Sequence, residues 1–307
     1  MPPGYRPQLT APADARRGVA LVVVLWLLAA LAVLAATFAS GVGVETKAAG
    51  NMLAAARARA LADGGIAYGV ARLLAQRARP EPDDWQVDGA VYDVAVGGAT
   101  IGIAITQETG KIDINVAPDE MLANLLTQAG VAADQVDAVL DAIADHRDAD
   151  DAVRPQGAEA EAYADLGLPY APKNRVFESI RELAAVPGVT DAVFRAVRPA
   201  ITVHTGQPRI DPATAPEAAL LALPGVVAAE VEALLAVRRE NQYSQVKQAL
   251  PVLSGVQESV GQAAVPVFTI RAQVAFDQGT RFTREAIVWL PDGETSHWLL
   301  DWTQGGS

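Results

Sequence analysis

The residues most able to do chemistry lie in Asp145-His146-Arg147-Asp148-Ala149-Asp150-Asp151, followed at short range by Gly157-Ala158-Glu159, Glu161 and Tyr163. Calcium takes roughly 6 to 8 oxygen ligands, and closely spaced aspartates in a loop, joined by a glutamate and backbone carbonyls, can supply them. The same string also reads as a solvated acidic loop after a helix, and the residues alone leave both readings open. Zinc is disfavoured, because His146 has no second imidazole or thiolate near it in sequence.

No other constellation competes. The three histidines, His146, His204 and His297, are far apart, and neither a nucleophile elbow nor a phosphate-binding glycine loop is present. These features point away from an enzyme. A formal charge of −12 argues against a nucleic-acid surface and is compatible with cation binding. With no cysteine in the chain, disulfides and thiolate metal sites are excluded.

The loop must be positioned by the elements around it, and those begin with an anchor. Arg16, Arg17 and Gly18 precede an apolar run that meets no charge until Glu45. A helix needs about 20 apolar residues to cross a bilayer, and Val19 to Ala39 has that length. The arginines place the N-terminus in the cytoplasm by the positive-inside rule and send the rest across. A secretory signal cut near Ala39-Ser40 is the alternative, although its apolar region is normally only ~7 to 15 residues long. Met1 to Arg17, with four prolines, reads as an unstructured leader.

Beyond the span, Glu45 to Arg79 keeps helical character, with Leu53, Leu61, Tyr68, Leu73 and Leu74 forming an apolar stripe until Pro80 and Pro82 stop it. Period-two alternation then predicts strands in VYDVAV and TIGIAITQ, joined at Gly97-Gly98, with TGKIDIN following. Strands return in VFTIRAQVAF, FTREAIVWL and HWLLDWTQ. Between them the chain is helical and weakly repetitive. Ala117-Pro118-Asp119-Glu120-Met121-Leu122 is echoed by Ala215-Pro216-Glu217-Ala218-Ala219-Leu220, and Val186-Pro187-Gly188-Val189 by Leu223-Pro224-Gly225-Val226. Such Pro-Gly turns resemble helix-hairpin-helix modules that hold DNA phosphates in DNA-uptake-type proteins. Here their helices are acidic and the second glycine is replaced by Thr190 and Val227, so they read as structural connectors.

RRG followed by VALVVVLWLLAALAVLAA resembles a type IV prepilin leader. The resemblance implies cleavage between Gly18 and Val19 by a prepilin peptidase and a methylated Val19 at the mature N-terminus. It departs from most of that family at the fifth mature position, where Val23 replaces the usual glutamate. Lack of that glutamate, together with Asp148-Ala149-Asp150, Gly157-Ala158-Glu159, Tyr163, Pro169-Tyr170, Asn174 and Glu182-Leu183 in order, makes the chain similar to the K-type minor pseudopilins of the bacterial type II secretion system.

That resemblance implies an α+β fold in which a long N-terminal helix packs on an antiparallel sheet carrying a large all-α insertion. The expected segments are a leader over 1–18, a transmembrane helix over 19–44, a pilin-like domain over 45–116, the insertion over 117–253 and closing strands over 254–307. It implies a single-pass protein of the inner membrane with a periplasmic body, located at the tip of a pseudopilus and active in assembly and protein export. Its expected partners are other minor pseudopilins, the prepilin peptidase and the inner-membrane assembly platform. The matching positions carry over Asp148, Asp150 and Glu159 as calcium ligands; Asp151 and Glu161 are neighbours that the motif does not assign. An anchored periplasmic enzyme remains the alternative class.

Overall fold

The computed structural model describes residues 15–81, 84–239, 259–261, 265–275, 281–291 and 297–305. The first 14 residues of the expected leader and positions 240–253 of the expected insertion lie outside the described residues. The chain divides into two units, Met1–Ala58 and Arg59–Ser307. One helix, α1, runs Ala15–Ala78 and belongs partly to each.

In the first unit, Ala20–Thr37 has a mean hydropathy of 2.7 with none of its residues buried. Its 18 residues rise about 27 Å, close to the thickness of a hydrocarbon core. This is no core helix of a soluble protein, since Leu21 to Leu34 present their side chains outward throughout.

In the second unit, α1 lies on a five-stranded antiparallel sheet ordered β1-β2-β5-β6-β7. Strands β1 (Asp88–Val96) and β2 (Ala99–Gln107) form a hairpin, turned by Gly97 and Gly98 at φ of 58° and 77°. Positive φ at both central residues matches the right-handed twist of the flanking strands, hence the glycine pair. Strands β5 (Val267–Ala275), β6 (Arg281–Trp289) and β7 (Trp298–Gly305) complete the sheet, with β5 paired directly to β2. Ala62, Ile66, Val70 and Leu73 pack on Ile101, Ile103, Ile105, Ile270, Ala272 and Val274. The stripe read from the sequence is rotated from this face: Leu73 is buried and Leu61 and Leu74 border the core, whereas Leu53 and Tyr68 are exposed. Small residues account for the difference, because Gly65 and Gly69 bring the helix backbone down onto the isoleucines of the sheet. A Cβ on Gly65 would stand 2.8 Å from Ala272 Cβ and 2.9 Å from Ile101 Cγ2.

The described residues between β2 and β5 form a helical body with its own core. Its helices are α2 (Asp119–Gln128), α3 (Val136–Arg147), α4 (Ala160–Asp165), α5 (Asp191–Val197), α6 (Glu217–Leu221) and α7 (Ala228–Arg239). The repeated Ala-Pro-acid string starts α2 and α6, with Pro118 and Pro216 at the N-cap, one position before the first helical turn. Gly130, Gly188 and Gly225 adopt φ of 90°, 84° and 75° where chain direction reverses. Packing contributes too: a Cβ on Gly188 would approach Val139 Cγ2 to 2.6 Å.

TGKIDIN does not extend the main sheet. Glu108–Gly110 is a 3-10 turn, and β3 (Ile112–Asp113) pairs in parallel with β4 (Ile201–Thr202) inside the helical body. Gly110 explains the break, since a Cβ there would lie 2.6 Å from Ala215 N; the chain turns under the backbone that opens α6. Alternation alone cannot identify which partner a strand will choose.

The two neighbouring glycines of α1 separate packing from propensity. Gly65→Val should destabilise the protein by about 1–3 kcal/mol through overpacking. Gly64→Ala, with nothing within 4 Å of the new methyl, should instead stabilise by up to about 1 kcal/mol. Chemical denaturation of the two variants checks this; equal effects would refute the close helix–sheet contact.

Candidate functional site

The acidic loop starts where α3 ends. Asp148 caps the helix, its N–H donating to Ala144 O, and the chain then folds back on the helix it has left. Asp145, fully buried on the last turn, accepts from Ala158 N at 2.9 Å and from Arg154 N at 3.3 Å. Gly157 is required at this crossing, because a Cβ would run into the Asp145 carboxylate. One turn earlier Asp141 accepts from Gln156 N at 3.1 Å and lies 3.5 Å from the Arg154 guanidinium. Arg147 donates to Ile114 O and reaches Asp119 at 3.8 Å, fixing α3 to the start of α2.

These tethers deliver Glu159 to the N-cap of α4 with its side chain buried. Beneath it, Tyr163 is fully buried with its hydroxyl 3.3 Å from His146 Nδ1, and the imidazole stacks on Phe177 at 4.8 Å. Burial lowers the pKa of His146, favouring the neutral ring. His146 is thereby packed under the loop between Tyr163 and Phe177.

Four oxygens stand out among the described residues. Asp148 Oδ1, both Glu159 carboxylate oxygens and Asn174 Oδ1 are buried without a hydrogen-bond partner. Asn174 sits at φ 49°, a left-handed conformation that asparagine tolerates, and its Nδ2 donates to Asp150 O at 3.0 Å and Asp151 Oδ1 at 2.7 Å. The structure therefore gathers Asp148, Asp151 and Glu159 around an asparagine that was not among the candidate ligands. Its only sequence signal was its place in the family pattern. Asp150 contributes its carbonyl, while its exposed carboxylate caps Ala152 N at 2.9 Å. Glu161 is exposed in the first turn of α4. Among the described residues no three carboxylates or imidazoles close into a finished metal shell.

The electrostatics are those of an uncompensated site. Burial raises the pKa of Glu159, and the charges of Asp145, Asp148 and Asp151 raise it further. Burial likewise raises Asp148, with Asp150 and Asp145 adding to the shift. Lys173, the nearest lysine in sequence to Asn174, is engaged by Glu182 at 2.8 Å and Glu178 at 3.0 Å. Unpaired buried carboxylate oxygens are costly unless a cation joins them. Their hard-oxygen character fits calcium chemistry.

Two expectations follow from this geometry. Asp145→Ala strands the Ala158 and Arg154 N–H groups and should cost about 2–4 kcal/mol, with earlier protease cleavage in 148–158 as the readout. In chelator, deprotonating Glu159 costs more in the fold than in the unfolded chain. Its contribution is therefore full below the ordinary value of 4.5 and declines as pH rises through and above it. Melting temperature in chelator should fall over that rise more in the wild type than in Glu159→Gln; identical pH profiles would contradict the assignment.

Comparison with known proteins places this arrangement. Residues 103–206 match the family model for protein K of the type II secretion system. The type II secretion system protein K of Pectobacterium carotovorum subsp. carotovorum is 28% identical over 203 residues, covering 60% of this chain and 62% of that protein. The chain thus matches less than two thirds of that relative's length. A chain in the crystal structure of the GspK–GspI–GspJ complex from enterotoxigenic Escherichia coli shares the fold with a TM-score of 0.56 at 16% identity, over 82% of this chain and 99% of its own. Over residues 103–206 the chain is thus similar to protein K of the type II secretion system, and with the solved chain it shares the fold.

Proposed function

We propose that the protein sits at the tip of a short periplasmic pseudopilus, initiates its assembly and thereby supports protein export. The observation that carries this reading is the helical body lodged between β2 and β5 of a pilin-like sheet, in the region matched by the protein K family. Such a body on top of a pilin head obstructs a further subunit above it, which suits the first subunit of a filament. Val23 supports the same position. A glutamate there would need the free N-terminus of a subunit ahead, whereas valine makes no such demand in an apolar helix bundle. The GspK–GspI–GspJ complex supports two other minor pseudopilins as partners. The work is assembly, not catalysis.

In this reading a prepilin peptidase cuts between Gly18 and Val19, Val19 is methylated, and the assembly platform of the inner membrane receives the processed helix. Arg16 and Arg17 hold the N-terminus on the cytoplasmic side. Calcium joins Asp148, Asp151, Glu159, Asn174 and the Asp150 carbonyl, neutralising carboxylates that otherwise repel. Asp150 and Glu161, as side chains, act from the rim.

Antibody labelling of assembled pseudopili against the helical body should give signal at one end only; regular labelling along the shaft refutes the tip position. Mass spectrometry of the membrane-extracted protein should find Val19 at the N-terminus, and cleavage near Ser40 would restore the secretory-signal alternative. EGTA should lower the melting temperature and calcium should restore it by mass action, an effect lost in Glu159→Ala. Indifference of the wild type to both would leave the loop a solvated face.

A further inference from the structure

A cleft of about 370 Å3 lies between the helical body and the face of the sheet opposite α1. Its charges do not balance. Arg271 donates through Nε and Nη2 to Glu285 Oε2 at 3.1 and 2.9 Å, and Arg198 donates to Glu285 Oε1 at 3.0 Å. Two guanidinium groups therefore share one carboxylate. Burial pushes the Glu285 carboxyl up, but the Arg271 hydrogen bonds and the charges of Arg271 and Arg198 outweigh it and hold the group below its ordinary range. Arg195, from α5, also lines the cleft and pairs with no carboxylate among the described residues; its Nε donates to the Asp191 carbonyl at 3.1 Å.

The other acids of the cleft are already matched. Glu108 is held by Lys111 and by Thr269, whose hydroxyl donates at 2.6 Å, and Asp88 lies 3.5 Å from Arg238. The lining carries Lys111, Arg195, Arg198 and Arg271 against Asp88, Glu108 and Glu285, with Asp88 also met by Arg238, so cations are in excess there in a chain whose formal charge is −12; Asp301 borders Arg198 and Glu285 in the adjoining hollow. A surplus of this sign is not needed to hold the helical body on the sheet, since one arginine would satisfy Glu285. Each guanidinium carries five N–H donors in a planar fork suited to paired oxygens, and few of those in Arg195 and Arg198 are used.

We propose that this cleft is an oxyanion-binding site, taking a carboxylate or a phosphate between Arg195 and Arg198, with Arg271 at its mouth. The bound group supplies the missing negative charge and accepts bidentate hydrogen bonds from the arginine forks. The apolar walls, Ile180, Ile201 and Ile287, exclude water from one side and strengthen the pairing. Filling the cleft adds a tie between the helical body and the sheet to the Arg198–Glu285 and Arg238–Asp88 bridges. The site is separate from the acidic loop and stands whether or not the chain occupies a filament tip.

The test is thermal unfolding and calorimetric titration of the detergent-solubilised full chain, with EGTA present throughout so that the acidic loop is silent. Inorganic phosphate and succinate are compared with sodium chloride at equal ionic strength. At about ten times its dissociation constant, the accepted anion should raise the melting temperature by roughly 2–4 °C above the chloride control. A shift with phosphate alone identifies the phosphate source, and a shift with succinate alone the carboxylate source. Arg195→Gln removes no ion pair of the fold and should weaken binding at least fivefold. Arg195→Lys, which keeps the charge and loses the fork, should fall between. The proposal is overturned if neither anion exceeds chloride, or if Arg195→Gln binds as the wild type does.

Discussion

The pairing of β2 with β5 is the contact on which the rest depends. Gln107 and Phe268 are partners in a continuous ladder although about 160 residues separate them in sequence. Closing a flexible loop of that length would cost about 4–5 kcal/mol beyond the constant for any loop. The intervening chain avoids most of that cost by not being a flexible loop. It folds around its own core, from Ile112 to Leu234, and its parallel β3–β4 pair draws the segment that leaves β2 alongside the segment after α5. The sheet can then close on a preformed body, and α1 covers Ile103 and Ile270 once the two halves of the sheet are together.

That order explains why the acidic loop belongs to the helical body alone. Its tethers run from α3 to the loop and back to α4 and Asn174, with no contribution from the sheet. Asp145 sets the crossing and Gly157 allows it, so an acid and a glycine outside the candidate set decide where the loop's carboxylates stand. The sheet meets the body instead at the opposite kind of feature, the arginine-rich cleft.

Much of this was legible in the sequence, for identifiable reasons. Period-two alternation with a glycine pair located the β1–β2 hairpin, the unbroken apolar run located the membrane-compatible part of α1, and the Ala-Pro-acid repeats located the starts of α2 and α6. The buried stripe of α1 was not legible, because glycines and alanine replace large side chains where the helix lies closest to the sheet; hydrophobic periodicity overlooks a contact made by small residues. The strand read in TGKIDIN is present only as Ile112–Asp113, and its partner, Ile201–Thr202, was not legible from alternation. At the site, charge clustering and the family pattern singled out Asp148, Asp150, Asp151, Glu159 and Glu161, of which the structure brings the Asp148, Asp151 and Glu159 side chains towards Asn174. Charge clustering gave no hint of Asn174, which is neutral, or of Asp145, whose role comes from two backbone donors that only the fold brings to it.

Buried carboxylates among the described residues come in two kinds. Asp113 accepts from Asn115 N, Thr205 N, Thr205 Oγ1 and Gly206 N at 2.8–3.1 Å, so its charge is met by the fold itself. Asp145 is met in the same way by Ala158 and Arg154. The chain can therefore surround a buried acid with backbone donors when the acid serves structure only. Glu159 is buried less completely and meets no backbone donor; its carboxylate faces the charges of Asp145, Asp148 and Asp151, with the Asn174 side chain the one group that favours its ionised form. A divalent cation would offset both the repulsion among these carboxylates and the hydrogen bonds Glu159 lacks. The acids of the loop thus lack the backbone donors that meet Asp113 and Asp145, and this contrast is what the calcium proposal rests on.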